Sequence, residues 1–309
     1  MSKKDYRVRN WREYNTALIN RGSITFWIDE KAIGNWYSNR KGQQSKGRPN
    51  KYSDTAIITI LLLQQVYKLT LRGSTGFIMS LLKLMKLDLE VPCYTQVHRR
   101  QEKIELPALP MKQESIHIVI DSSGLKVFGE GEWKVRSYSW SKHRTWRKLH
   151  IGVDEESKLI VAAILTGNDC GDDKQLPKLL KQYKGTIKQV SADGAYDSHE
   201  CFDKIREYRS KATIPTQANP KHKKKRLEDI KRPRDEIVWG IQESGREEWK
   251  HESGYHRRSI VENTFYRYKV MLGDRLKSHK LVNQTTEALI RCYALNKMTL
   301  AGMPKSVVV

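Results

Sequence analysis

Acidic residues are in short supply. The 309-residue chain carries 35 Asp and Glu against 57 Lys and Arg, for a net charge of +22 and a pI near 9.8. That excess goes beyond what solubility needs and implies a polyanionic partner. A basic tail fused to a neutral body is excluded. Residues 1–110 hold 19 Lys and Arg and 9 Asp and Glu, a net of +10, and the remainder carries +12. Long apolar runs are also missing. No stretch of about 18 apolar residues could span a bilayer. The opening "MSKKDYRVRNWREYN" lacks the apolar segment of a signal peptide. Nucleic acid is therefore the expected polyanion, no membrane partner is expected, and the expected compartment is the cytoplasm. The four cysteines, Cys93, Cys170, Cys201 and Cys292, are scattered with no C-x-x-C, so zinc and disulfide frameworks find no support. No internal repeat is visible.

What is present suffices for a core, at 38% hydrophobic residues. The organisation expected is an N-terminal helical region, residues 1–110, and an α/β region, residues 111–309. "NRKGQQSKGRPNKYS" reads as a flexible basic loop, with Arg48-Pro49 either a solvated linker or a DNA contact. Ser53 or Asp54 then caps an apolar helix, "TAIITILLLQQVYKL". "LRGSTGFIMSLLKLMKL" is a second helix by its Leu and Met spacing. "VPCYTQVHRRQEKIEL" is a third, starting at Pro92, with Tyr94, Gln96, His98, Arg99 and Arg100 in its first turns. Three short helices ending in a basic one resemble a helix-turn-helix module, although plain three-helix bundles share the pattern.

From Glu114 onward the period changes. "SIHIVID", "TWRKLHIGVD" and "KLIVAAILT" are strands, "DDKQLPKLLKQY" a helix, "TIKQVSADGAYD" a strand, "SHECFDKIREY" a helix and "KATIPT" a strand. That order predicts an α/β fold, a mixed sheet flanked by helices of the ribonuclease H-like kind. A charged insertion at about residues 217–252 contains the Lys221–Arg226 run, either a solvated loop or a phosphate contact. "QTTEALIRCYALNKMTLAGM" is a closing helix, expected to cap the sheet. Trp133, Trp140 and Trp146 interleave with Lys134, Arg136, Lys142, Arg144, Arg147 and Lys148. Such a pattern suits base stacking, or packing under the sheet.

Two acids sit where strands are expected to stop, Asp121 after "IHIVI" and Asp193 after "IKQVSA", each followed by small residues that permit close approach. A third acid, Glu262, stands alone among Arg257, Arg258, Arg267 and Lys269 in "GYHRRSIVENTFYRYK". On a helical wheel at about 100° per residue, Tyr255, Arg258, Glu262 and Lys269 fall within an arc of about 60°. Val261, Phe265, Tyr268 and Leu272 form an apolar stripe beside them. One acid bracketed by cations and a phenol suits a metal-phosphate site. Cleaving or joining DNA places negative charge on the attacking and leaving oxygens. Two divalent ions about 3.5–4 Å apart can clamp both, and Mg²⁺ prefers carboxylate oxygens. Asp121, Asp193 and Glu262 are candidate metal ligands, and Arg258 and Lys269 candidate phosphate contacts, with Tyr255 bonding or stacking nearby.

These residues match a known pattern. Asp121, Asp193 and Glu262 resemble the D-D-E triad of bacterial insertion-sequence transposases. Tyr255, Arg258, Glu262 and Lys269 match the Y-x2-R-x3-E-x6-K signature in full. "TWRKLH", "DGAYD", "EALIRCYALNKM", "NTALINRGSITFWID" and "PCYTQVHRR" resemble other blocks, so the likeness runs from about residue 10 to 303. It points to the insertion-sequence-five family, close to its nine-oh-three group, although the dense "KHKKKRLEDIK" departs from that pattern. The resemblance implies a ribonuclease H-like core and two Mg²⁺ or Mn²⁺ ions. It also implies recognition of terminal inverted repeats, 3′-end cleavage and joining to target DNA. Pairing two ends implies a homodimer or larger assembly, and residues 53–103 would read the repeat through Tyr94, His98, Arg99 and Arg100. Rival readings are a ribonuclease H-like DNA nuclease without strand transfer, an inactive DNA-binding repressor, and an RNA-binding protein, which leaves the triad unexplained. Ser122 and Ser123 have no His–Asp partner spaced to activate them, Tyr196 lacks the residue set of a tyrosine recombinase, and His117 reads as a half-buried strand residue.

Overall fold

A helix that is apolar on nearly every side has to be enclosed, and "TAIITILLLQQV" meets that description. The computed structural model describes residues 6–38, 50–110, 114–127, 146–216 and 233–308. It divides into two units, residues 1–107 with 280–309, and residues 108–279. In the first, helix α4 (Asp54–Val66) is the hub, with Ala56, Ile57, Ile60, Leu61, Leu62 and Leu63 buried. The Ser53 hydroxyl accepts from the Ala56 amide and caps it, as the sequence suggests. Around it lie α2 (Ile24–Trp27), α3 (Glu30–Gly34), α5 (Leu71–Leu84) and α6 (Tyr94–Gln101), while α1 (Trp11–Asn20) packs on the last helix of the chain. Strand β1 (Tyr6–Val8) pairs with β8 (Ser306–Val308) near the other end of the chain.

The closing helix α12 (Leu281–Ala301) belongs to this helical unit and packs on α4, whereas the sequence suggested a cap on the sheet. The reason is polar. Arg291 and Glu287 are 1% and 2% exposed and pair at 2.5 Å, and Arg291 Nε donates to Gln65 Oε1 of α4 at 2.8 Å. Such groups are tolerated in a core only when their partners are supplied. The expected single boundary near residue 110 therefore becomes a two-part unit closed by the C-terminal helix.

The second unit is built on a six-stranded mixed sheet. The strands are β2 (Ile116–Val127), β3 (Trp146–Asp154), β4 (Ile160–Gly167), β5 (Ile187–Ser191), β6 (Lys211–Thr213) and β7 (Arg275–Leu276). The order is β4-β3-β2-β5-β6, with β7 also on β2. The first three strands are antiparallel, and β5 and β6 run parallel to β2 and to each other. This is the ribonuclease H-like order expected from the sequence. Alternation sends Ile116, Ile118 and Ile120 to one face, where they join Leu176, Leu179 and Leu180 of α7 (Leu176–Gln182) and Cys201, Phe202 and Ile205 of α8 (His199–Glu207). Helix α11 (Ser259–Leu272) packs on β2 and β3. It seats Val261, Phe265, Tyr268 and Leu272, the stripe read on the wheel, in the interior.

One segment departs from expectation. Residues 233–252 of the charged insertion form helices α9 (Pro233–Ser244) and α10 (Arg246–Glu252), which bring Ile237 and Trp249 into the core of the sheet unit. Apolar residues spaced among many charges hide a helical face. The Lys221–Arg226 run, Arg48-Pro49, Trp133, Trp140, Lys134, Arg136, Lys142 and Arg144 lie outside the described residues. Among the described residues, no helix is long and apolar enough to cross a membrane.

Glu287→Ala leaves the buried Arg291 charge without its carboxylate and is expected to cost about 3–5 kcal/mol in urea unfolding. Replacing the pair together, by Glu287→Leu with Arg291→Met, is expected to cost much less. Equal costs would show that the pair is not coupled.

Candidate active site

A strand interior is a rigid place for a carboxylate, provided one edge of the strand is open to admit a substrate. Strand β2 provides this. The sequence placed Asp121 at a strand end, but the strand continues to Val127 because "SSGLKV" keeps pairing with β3. Its other edge changes partner instead. Pairing with β5 stops at Val119↔Ser191, and β7 takes over only at Lys126↔Arg275. Asp121 and Ser123 lie in the gap. The Ser122 amide, past the reach of β5, donates to Asp121 Oδ1 at 2.8 Å. Asp193 follows the end of β5, as expected, and its Oδ1 accepts from the Ala195 amide at 2.9 Å, capping a 3₁₀ turn over Gly194–Tyr196.

Helix α11 and the 3₁₀ turn before it, Tyr255–Arg258, supply the opposite side. The wheel treated both as one helix. The turn at Gly254, with φ of 70°, tightens the start. Arg258 Nη1 donates to Asp121 Oδ2 at 3.0 Å, and its Nη2 pairs with Glu262 one turn on. Lys269 Nζ donates to Ser123 Oγ at 2.7 Å. The Arg258 guanidinium also lies 5.9 Å from the centre of the Tyr255 ring, and Tyr255 itself leans on Trp249. So Asp121, Arg258 and Glu262 meet directly, with Lys269 and Tyr255 at the edges. Glu262 is half exposed at 52% and Asp121 only 17%.

The electrostatics of this cluster are unbalanced. Burial pushes the Asp121 carboxyl up to about 6. The Ser122 amide and Arg258 oppose this, while the charges of Asp193 and Glu262 add to it. Those two acids are therefore close enough to be felt at Asp121. Among the described residues, no three Asp, Glu, His or Cys side chains converge on one point as a ready ion cage. Arg258 stands between two of the three acids. The donor set is nonetheless the kind a hard divalent cation takes, three carboxylates with excess negative charge and a guanidinium bridging two of them.

The remaining sequence candidates separate into groups. His98 and Arg99 are exposed on α6, and Tyr94 stands beside Arg72, whose guanidinium lies 4.5 Å from its ring centre. Arg100 turns inward, because its Nη1 bonds the Tyr52 carbonyl at 2.9 Å and its Nη2 pairs with Asp54. It ties α6 to the start of α4, and its place in a cationic run does not reveal this. His117 is buried, with Nε2 2.8 Å from Ser191 Oγ, and burial holds it down to about 4, so it is a neutral strand residue. Trp146 packs on Gly124, where an added Cβ would meet its ring at 3.3 Å. Asp172 was missed. It follows β4 and bonds Ser122 and Lys148, and only the β2–β3 register brings those residues together.

Fold and site together define a ribonuclease H-like protein with an acidic cluster at the parting of β2 and β5. Residues 112–297 match the family model described as the transposase DDE domain, and residues 19–130 match a second model of the same description. The chain belongs to this family of transposases. Among solved structures it is similar to a piggyBac transposase synaptic complex with hairpin DNA, at 11% identity and a TM-score of 0.36, covering 96% of this chain and 78% of that one. It is also similar to the Drosophila P element transposase strand transfer complex, at 9% identity and a TM-score of 0.32, covering 88% and 84%. These likenesses are faint, and membership rests on the match over residues 112–297.

The raised Asp121 carboxyl sets a sign for pH. Between the ordinary carboxylate range and about pH 6, the folded chain holds a proton that the unfolded chain has lost, so this group favours folding less as pH rises. In chelator, the stability of Asp121→Asn relative to the parent is expected to climb from pH 4 to pH 7. The climb, of order 2–3 kcal/mol, flattens above that. Urea unfolding across this range reads it, and parallel profiles would contradict the assignment.

Proposed function

We propose that this chain is an insertion-sequence DNA transposase. It binds terminal inverted repeats, cleaves the 3′ ends and joins them to target DNA, with Asp121, Asp193 and Glu262 as the catalytic acids. The observation that carries this reading is the strip formed by Asp121 and Ser123 on β2 with Arg258 in the facing 3₁₀ turn and Glu262 and Lys269 on α11. It lies within the part of the chain that matches the transposase family. Two divalent ions, Mg²⁺ or Mn²⁺, held by the three acids would supply positive charge at the attacking and leaving oxygens.

The chain's own residues account for the rest. Asp121 is fixed by a strand and by the Ser122 amide, so one ligand is rigid. Glu262, half exposed on α11 and paired with Arg258, has the looser setting. Lys269 and Arg258 hold phosphates beside the scissile one as cations with directed donors. Tyr255, pinned by Trp249, shapes the edge of the strip. His98, Arg99 and Tyr94 on α6 read or grip the repeat, and the +22 charge draws the DNA in from a distance. Water activated at the site cuts the end. The freed 3′-hydroxyl then attacks the target phosphate and displaces the target strand's own 3′-oxygen, which leaves as a hydroxyl, with no covalent link to the protein. Two ends have to be joined in one event, which calls for a dimer or larger assembly.

The test is a cleavage and strand-transfer assay on labelled DNA carrying the element's end, with Mg²⁺ or Mn²⁺. Nicking at the end followed by joining is expected, and Glu262→Gln should lose both. Cutting that survives Glu262→Gln would remove the triad assignment. Metal-dependent cutting without joining would favour a nuclease, and end binding without cutting under either metal a repressor. Because Arg258 holds the same oxygens that an ion would take, Arg258→Ala should bind Mn²⁺ more tightly in the absence of DNA while binding the DNA end more weakly. Calorimetry and gel shift measure the two, and a parallel loss of both would show that Arg258 only supports the fold.

A further inference from the structure

Adjacent residues of a strand point to opposite faces. Asp121 faces α11, so Ser122 faces the other way, toward α7 and α8. There it meets a fourth acid. Ser122 Oγ donates to Asp172 Oδ1 at 3.1 Å, and Lys148 Nζ donates to the same oxygen at 3.0 Å and to the Cys170 carbonyl at 3.3 Å. Ser122 is paired across the ladder with His150, whose Nδ1 lies 3.6 Å from Asp172 Oδ1 and whose Nε2 is 2.9 Å from Thr166 Oγ1. Asp172 is only 18% exposed, and His150 is fully buried. Beside this group the Tyr196 hydroxyl is buried with no hydrogen-bond partner. It feels the negative charges of Asp172, Asp121 and Asp193 alike.

Ser122 is the link. Its amide holds Asp121 Oδ1 on the front and its hydroxyl holds Asp172 on the back. A residue anchored at both ends cannot shift without moving the Asp121 carboxylate. Pairing with Lys148 neutralises Asp172, so it adds a fixed acceptor without adding much repulsion to the acids in front.

We infer that Asp172 is a positioning residue for the acidic site, acting through Ser122 to hold the Asp121 carboxylate in its ligand orientation. This rests on the reading of Asp121 as a metal ligand. Second-sphere partners of this kind typically change metal affinity 10- to 100-fold.

The test uses the full chain without DNA. Mn²⁺ affinity is measured by calorimetry and electron paramagnetic resonance, and the thermal midpoint is taken in chelator. Asp172→Asn and Ser122→Ala are each expected to weaken Mn²⁺ about tenfold, and the double variant no further than either alone. Ser122→Thr keeps the hydroxyl and should restore parental affinity. Unchanged affinity in the single variants, or losses that multiply in the double, would overturn the proposal. So would a loss that follows the thermal midpoint and is not rescued by threonine. If Asp172→Asn does not fold, the Ser122→Ala and Ser122→Thr pair decides alone. Asp121→Asn serves as the separate check. Mn²⁺ binding untouched by that change would sink the reading of the site itself, whichever way Asp172 behaves.

Discussion

Like charges gathered by a fold need a counter-charge, and here one guanidinium supplies it. Arg258 bonds Asp121 across the gap and Glu262 in the first turn of the helix that follows it. Without it, the Asp121 carboxylate, at 17% exposure, would face two other acids with the Ser122 amide left to oppose them. The same bridge ties β2 to the turn before α11, so it sets both the electrostatics and the spacing of the strip. Under the proposed function, phosphate oxygens and metal ions would compete for the two sides of this bridge, the first for the arginine and the second for the acids. Binding of DNA and of ions at such a site would therefore be coupled by simple charge exchange.

The bridge depends on where the sheet parts. β5 leaves β2 after Val119, and β7 returns to it only at Lys126. Had β5 run two residues longer, a paired strand would have lain along the edge of β2 beside Asp121. Instead the polypeptide turns at Asp193, and that turn brings a second acid to the same opening. The covered face behind β2 is just as specific. The β2–β3 register aligns Ser122, His150 and Lys148 around Asp172. A one-residue slip of β3 would send His150 and Lys148 to the other face, away from Ser122.

The helical unit uses a different device. Its hub α4 is too apolar to be exposed, and the polar pair Glu287–Arg291 arrives from the far end of the chain to meet Gln65. Burying such a pair adds little net stability, but it fixes which surfaces meet. Arg100 does similar work at the start of α4, where it is spent on the Tyr52 carbonyl and Asp54.

Local patterning in the sequence determined strands β2 to β6 and helices α7, α8 and α11 and their order along the chain, because periods of 2 and 3.6 follow from backbone geometry alone. It also determined the apolar stripe of Val261, Phe265, Tyr268 and Leu272, the cap at Ser53, and the spacing of Tyr255, Arg258, Glu262 and Lys269 along one face. Tertiary structure decided everything that depends on distant pairing. Asp121 became an interior strand residue beside an open edge, the closing helix went to the helical unit, and residues 233–252 joined the core. Arg100 was turned inward and Asp172 was placed behind Ser122. The physical reason is common to all of these. A side chain's partner is set by register and by the competition to satisfy buried polar groups, and neither is written in the spacing of neighbouring residues.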